Sequence, residues 1–232
     1  QSLDDWQQLR DVSDQIVDMD PQRTEALELR TEAQQAIEAL ENAAVLSVHP
    51  LLELGTSPQP RRILVVDDWI YVLDTAADTM VGLPLDADRI STSSDTVTTI
   101  LRKGQTLNGE TVGELVDFAW LAAVEPFSDG AILIYQEGGN LLFYEPTMGP
   151  GSVDAQKVDG DLSPGSVTAI ETFGNQFYLL HRASNQILVY KPINGSYNSP
   201  PDRYFAENIA PEMRLVLDIA IDGRIYLLMG DG

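Results

Sequence analysis

A strand-turn-strand pattern that occurs three times at matching offsets, and begins a fourth time, constrains this chain more than any other feature. Asp67-Asp68-Trp69-Ile70-Tyr71-Val72-Leu73 passes from a polar turn into an apolar run, and a second run opens at Met80-Val81. The same order recurs in Asp129-Gly130-Ala131-Ile132-Leu133-Ile134-Tyr135 with Leu142-Phe143-Tyr144. It recurs again in Gly174-Asn175-Gln176-Phe177-Tyr178-Leu179-Leu180 with Ile187-Leu188-Val189-Tyr190. A fourth copy begins at Asp222-Gly223-Arg224-Ile225-Tyr226-Leu227-Leu228. In the first three, the second run is reached nine residues after the anchor (Tyr71, Leu133, Tyr178), and the anchors 71, 133, 178 and 226 lie 62, 45 and 48 residues apart.

Each unit has one physical logic. Asp-Gly or Gly-Asn accepts a positive φ and turns the chain into a strand. The strands are near-continuously apolar, as in sheets buried on both faces, and stacked blades bury both faces. A repeat near 45 residues is blade-sized. A β-sandwich would supply hairpins without demanding the same offsets in each. The expected fold is mainly β: over residues 63–232, a partial β-propeller of three repeats and the start of a fourth. Propellers close with roughly four to eight blades, which removes exposed strand edges. The remainder of its own propeller, or another chain, is therefore an expected partner.

Residues 1–45 read as an α-helical hairpin or stalk. Trp6, Leu9, Val12, Ile16 and Met19 have helical spacing, and Asp20-Pro21 interrupts the run. Ala26, Leu29, Ala33, Ala36, Leu40 and Ala43 then alternate steps of three and four, an expected seam for close helix approach. A lone pair of helices needs a further packing surface, as a connector or as a peptide-binding repeat. Residues 46–62, with Pro50, Gly55, Pro58 and Pro60, read as a linker.

Two resemblances rest on these residues. Asp20-Pro21 and Glu25-Ala26-Leu27 resemble the junction and second helix of a tetratricopeptide repeat. Ile70-Tyr71-Val72-Leu73-Asp74-Thr75-Ala76-Ala77-Asp78-Thr79-Met80 resembles the blade motif of NHL and YVTN-type propeller repeats, with a divergent copy from Phe177 to Tyr190. The second unit lacks the tyrosine, and only the first carries the aspartate at Asp74. A helical stretch followed by such a propeller looks like the sensor portion of membrane-anchored bacterial signalling proteins. That likeness implies an extracytoplasmic location.

Composition narrows the function classes. With 36 acidic against 14 basic residues the net charge is −22. Phosphate backbones need clustered Lys and Arg, so no nucleic-acid partner is expected, nor an anionic membrane surface. Absence of cysteine excludes disulfides, thiolate catalysis and cysteine-ligated metals. His49 and His181 are the only histidines, and no two-histidine metal spacing exists. There is no Gly-x-Ser-x-Gly elbow and no phosphate-cradling loop ending in Lys-Ser or Lys-Thr. No catalytic residue, metal ligand or cofactor is assigned. Asp154, Asp159 and Asp161 gather in a glycine-containing loop, where calcium and a solvated acidic loop are the alternatives. Asn194-Gly195-Ser196 matches a glycosylation sequon. Residues 86–116 lengthen the first spacing, as a longer outer hairpin or as a binding loop.

One set of positions is a candidate ligand-binding site. Asp74, Gln136, His181 and Met229 occupy the same place in the four units, and equivalent positions of successive blades gather on one face. The plain alternative is that each bonds to its own turn. The leading expectation is a non-catalytic module that binds a protein or a small ligand, within a larger bacterial signalling or surface protein. One alternative is a propeller hydrolase or lyase using carboxylates at the central channel, which requires that channel to be polar. Another is a structural assembly subunit joined through its helices.

Overall fold

The computed structural model describes residues 3–41, 58–87, 89, 91–92, 97–149, 151–160, 162–206 and 209–230. His49, Asp161 and most of the expected linker lie outside them. Two compact units divide the chain, residues 1–50 and 51–232.

The first unit contains α1 (Leu3–Met19) and α2 (Thr24–Glu41), an antiparallel pair. Asp20 makes the turn between them: its carboxylate accepts from the Gln22 amide at 3.3 Å, and its carbonyl accepts from the Arg23 amide at 3.1 Å. Ser13, Ala26, Ala33 and Ile37 are buried. The buried stripe of α2 thus runs through Ala26, Ala33 and Ile37. Leu29 and Leu40, expected on the seam, lie to one side of it and are exposed. Neither helix is long and apolar enough to cross a membrane.

The second unit is a row of antiparallel sheets. The first blade is β1 (Pro60–Val66), β2 (Trp69–Asp74), β3 (Thr79–Pro84) and β4 (Thr98–Arg102), paired in that order. A small ribbon, β5 (Thr106–Leu107) with β6 (Glu110–Thr111), leads to the second blade. That blade comprises β7 (Leu115–Leu121), β8 (Ala131–Gln136), β9 (Asn140–Tyr144) and β10 (Val153–Lys157). The third is β11 (Val167–Phe173), β12 (Gln176–His181), β13 (Gln186–Tyr190) and β14 (Asp202–Arg203). The fourth shows two strands, β15 (Val216–Ile221) and β16 (Ile225–Met229). Pro60–Arg62, expected within the linker, open β1, since proline is tolerated as the first residue of a strand. The longer first spacing holds β4, the ribbon and β7, and Ile100, Leu101 and Val112 from it are buried.

Alternation along the second strand of each blade builds the core. Ile132 and Ile134 of β8 face the layer shared with Tyr71, Leu73 and Met80 of the first blade. Leu133 and Tyr135 face the opposite layer, shared with Phe177, Leu179 and Tyr190 of the third blade. Tyr178 and Leu180 then face Met213, Val216 and Ile219 next to the fourth. Each central strand is therefore apolar on both faces, as the sequence runs require. Gly130 marks one tight point: its φ is +81°, and a Cβ there would stand 2.4 Å from the Trp120 ring.

Burial in these layers shapes the alkaline behaviour. It holds the phenols of Tyr71, Tyr135 and Tyr190 above the ordinary tyrosine range and moves Tyr197 up to about 12. A raised folded value gives stability that is complete below pH ~10, where the unfolded phenol titrates, and that is lost as pH rises toward the folded value. Each such tyrosine removes ~1.4 kcal/mol per pH unit in that window. Absorbance at 295 nm near pH ~11 is expected to show these four phenols protonated in the folded chain and ionised in urea. Full ionisation near pH ~10 without unfolding would contradict the burial assignment.

Candidate functional site

The first strands of the four blades share an irregularity at one register position. Pairing skips a residue between Pro60 and Arg62, Leu115 and Asp117, Val167 and Ala169, and Val216 and Asp218. Such bulges re-aim side chains and sharpen twist. The residue after each bulge is Arg62, Asp117, Ala169 or Asp218. Three of these four are charged, in strands that are otherwise mostly apolar.

Arg62 gathers the other blades. Its Nε donates to Asp117 Oδ1 at 2.8 Å and its Nη2 to Asp117 Oδ2 at 3.0 Å, a bidentate pair. Nη1 reaches Glu171 at 3.2 Å, and Nη2 also reaches Asp218 and the Ile170 carbonyl, each at 3.1 Å. One guanidinium from β1 thus binds β7, β11 and β15, which sets these strands around a common centre. Asp117 is fully buried and accepts two backbone amides besides, Phe118 N at 2.9 Å and Ile170 N at 3.0 Å. Burial pushes the Asp117 carboxyl up, opposed by the Arg62 charge and hydrogen bonds and by the Ile170 amide. For Arg62, burial disfavours the charge, but the three carboxylates prevail and hold the guanidinium above its ordinary value. The centre is an occupied ionic cross-link with Arg61 beside it, 3.7 Å from Asp218.

At the end where the first strands begin, the hairpins form a rim. One backbone bond repeats in all four blades: Thr75 N to Gln59 O, Glu137 N to Glu114 O, Arg182 N to Ser166 O and Gly230 N to Leu215 O, at 2.7–3.1 Å. The turns are also tied forward, each to the next blade. Asp78 accepts from Leu115 N at 3.3 Å, Glu137 from Gly165 N at 3.0 Å and Asn185 from Met213 N at 2.8 Å.

Asp74, Gln136, His181 and Met229 stand at this rim in identical register, opposite Pro60, Leu115, Val167 and Val216. Three of the four bond to local groups. Asp74 accepts from Gln59 N and Ala76 N at 3.0 Å, and Gln136 Oε1 accepts from Gly113 N at 2.5 Å. His181 Nδ1 lies 2.6 Å from Ser184 Oγ and 3.3 Å from Ser184 N. Met229 packs with the apolar layer between the third and fourth blades. Gln136 and His181 are buried, so their side chains brace the loops above them.

The charged centre was not among the sequence candidates, although a signal for it exists. Val116-Asp117-Phe118-Ala119 and Leu217-Asp218-Ile219-Ala220 place an aspartate at one position of two apolar strands. A carboxylate repeated inside core strands implies a buried cation to meet it. Of the acidic-loop aspartates, Asp159 bonds the Gly160 amide at 2.8 Å and Asp154 is exposed. Among the described residues no three Asp, Glu, His or Cys side chains converge to hold a metal ion.

The sequence matches no protein-family model and no curated protein. Among solved structures it is similar to a catalytically inactive virginiamycin B lyase from Staphylococcus aureus with quinupristin. Identity is 14% and the TM-score 0.50, over 78% of this chain and 52% of the lyase. A structure of the nidogen/laminin complex aligns at 15% identity and TM-score 0.40, over 60% of this chain and 45% of that one. A glutaminyl cyclase from Myxococcus xanthus aligns at 14% identity and TM-score 0.44, over 76% of this chain and 69% of the cyclase. This chain spans about half the length of the lyase. At such identity the likeness to the lyase concerns the fold alone, and the fold is propeller-like.

Proposed function

We propose that the chain is a non-catalytic binding module of the NHL/YVTN type, within a larger bacterial signalling or surface protein. It meets a protein or small ligand at the rim where the first strands begin. The forward ties of Asp78, Glu137 and Asn185 carry this reading, because they hold loops of successive blades rigidly on one face. Loops on a rigid scaffold are where binding residues concentrate. Asp74, Gln136 and His181 serve this site by fixing the Ala76, Gly113 and Ser184 amides.

Those three amides are the test. A fragment library screened by amide chemical-shift mapping is expected to give ligands that move Ala76, Gly113 and Ser184 together. Hits scattered over other surfaces, or none at the rim, would remove the reading.

A second reading, a carboxylate hydrolase or lyase, draws on Asp117, Glu171 and Asp218, which all pair with Arg62. It needs a carboxylate released from Arg62 to move a proton. Turnover of an ester or glycoside that vanishes in Glu171→Gln would favour it over the first.

A further inference from the structure

Beside the charged centre, polar groups on the third blade lack protein partners. Arg182 follows β12, and its Nη2 donates to the Val216 carbonyl at 2.6 Å, while its Nε is buried with no hydrogen-bond partner. Ser166 stands opposite Arg182 across the ladder, where its carbonyl accepts the Arg182 amide at 2.8 Å. Residues opposed in this way project from the same face of a sheet. Ser166 is 4% exposed and its Oγ is likewise unbonded, as is the buried Oγ1 of Thr168, the bulge residue of β11. Arg61, the bulge residue of β1, donates to the Thr168 carbonyl at 2.8 Å and to the Leu217 carbonyl at 3.3 Å. Arg61 thus reaches the bulges of β11 and β15, and Arg182 reaches the carbonyl just before the β15 bulge. The two unbonded hydroxyls belong to Ser166, opposite Arg182, and to Thr168, whose carbonyl Arg61 holds.

The chemistry of this set is one-sided. Guanidinium nitrogens only donate, and a hydroxyl can turn its proton toward an acceptor. Arg61 has Asp218 3.7 Å away, whereas among the described residues Arg182 pairs with no carboxylate. Buried donors without partners are rare in folded proteins and call for an explanation. A bound oxyanion would supply the acceptors that the protein does not.

We propose that Arg182, Ser166 and Thr168, with Arg61 beside them, form a site for the carboxylate or phosphate group of a small ligand. This deepens the binding reading above, on which it rests, by assigning the ligand a negative charge despite the chain's net charge of −22. Paired oxygens of a carboxylate or a phosphate suit a guanidinium fork, and hydroxyls can complete their coordination.

Inorganic phosphate and succinate, titrated separately into the full chain at constant ionic strength, distinguish the two anion types. At least one is expected to shift the Gly165, Ser166 and Arg182 amides saturably, with Arg182→Gln weakening it about tenfold or more. Ser166→Ala removes an unbonded hydroxyl, so it is expected to weaken the anion about threefold while the anion-free Tm holds or rises. That pairing of signs separates a ligand contact from a structural one, and it remains readable if Arg182→Gln fails to fold. Shifts no larger than those from sodium chloride would overturn the site, as would a Ser166→Ala chain that binds undiminished. A neutral fragment that moves Ala76, Gly113 and Ser184 while no oxyanion saturates would overturn the anion site and leave the binding reading standing. Silence from both would remove both.

Discussion

Arg62→Met is expected to lower the stability of the β unit by about 3–5 kcal/mol, the range for breaking a buried ion pair from one side. Most of that loss comes from Asp117, whose side chain is 0% exposed and would keep a charge with its main counter-ion removed. The two backbone amides that Asp117 accepts cannot replace a bidentate guanidinium. Urea unfolding followed by tryptophan fluorescence measures the effect, and a loss below ~1 kcal/mol would mean that the pair is not held as described. Adding Asp117→Asn to Arg62→Met is expected to recover part of the stability, because the carboxamide carries no charge to strand. The resulting coupling separates the charge effect from the loss of arginine packing.

Phe177→Ala is expected to cost about 3–5 kcal/mol through an entirely apolar route. The ring lies in the layer between the second and third blades, its centroid 4.5 Å from Tyr190 and 4.9 Å from Tyr197. It has no exposed surface, so truncation leaves a cavity among side chains fixed by other contacts: Tyr190 Oη is bonded to Asp159 O and Tyr197 Oη to Asn175 O. Those anchors resist collapse into the vacancy, which places the change in the upper part of the usual range. The same urea titration measures it, with near-UV circular dichroism reporting the loosened tyrosines. An unchanged midpoint would mean that the layer repacks freely.

Much of this architecture was legible because it repeats. Tyr71, Leu133, Tyr178 and Tyr226 all fall on the second strand of their blades, and the aligned rim positions share one register. Periodicity transmits such information well, since a one-residue slip would turn every buried side chain to the wrong face. The first strand of each blade was less visible. The link from Asp117 to Leu133 runs through a long loop containing Pro126 and Phe127, whereas Asp218 reaches Tyr226 through a short turn. This difference hides the shared aspartate from an alignment built on fixed offsets. Arg61 and Arg62 were obscured by Pro58 and Pro60, whose turn chemistry reads as linker although Pro60 opens a strand. The seam of α2 is rotated from the expected one, because spacing alone weighs Leu29 and Ala33 alike, and Ala43 lies outside the described residues. Burial instead follows the stripe of Ala26, Ala33 and Ile37.

Stacked repeats that touch only their neighbours tend to fray, with terminal units opening independently of the middle. Arg62 works against that behaviour. Its partners lie 55, 109 and 156 positions further along the chain, so β1 cannot detach without exposing acids on three later strands. The blades are consequently expected to open as one cooperative unit. Hydrogen-exchange protection in β1 and β15, in the first and fourth blades, is then expected to report a common opening event instead of two separate ones.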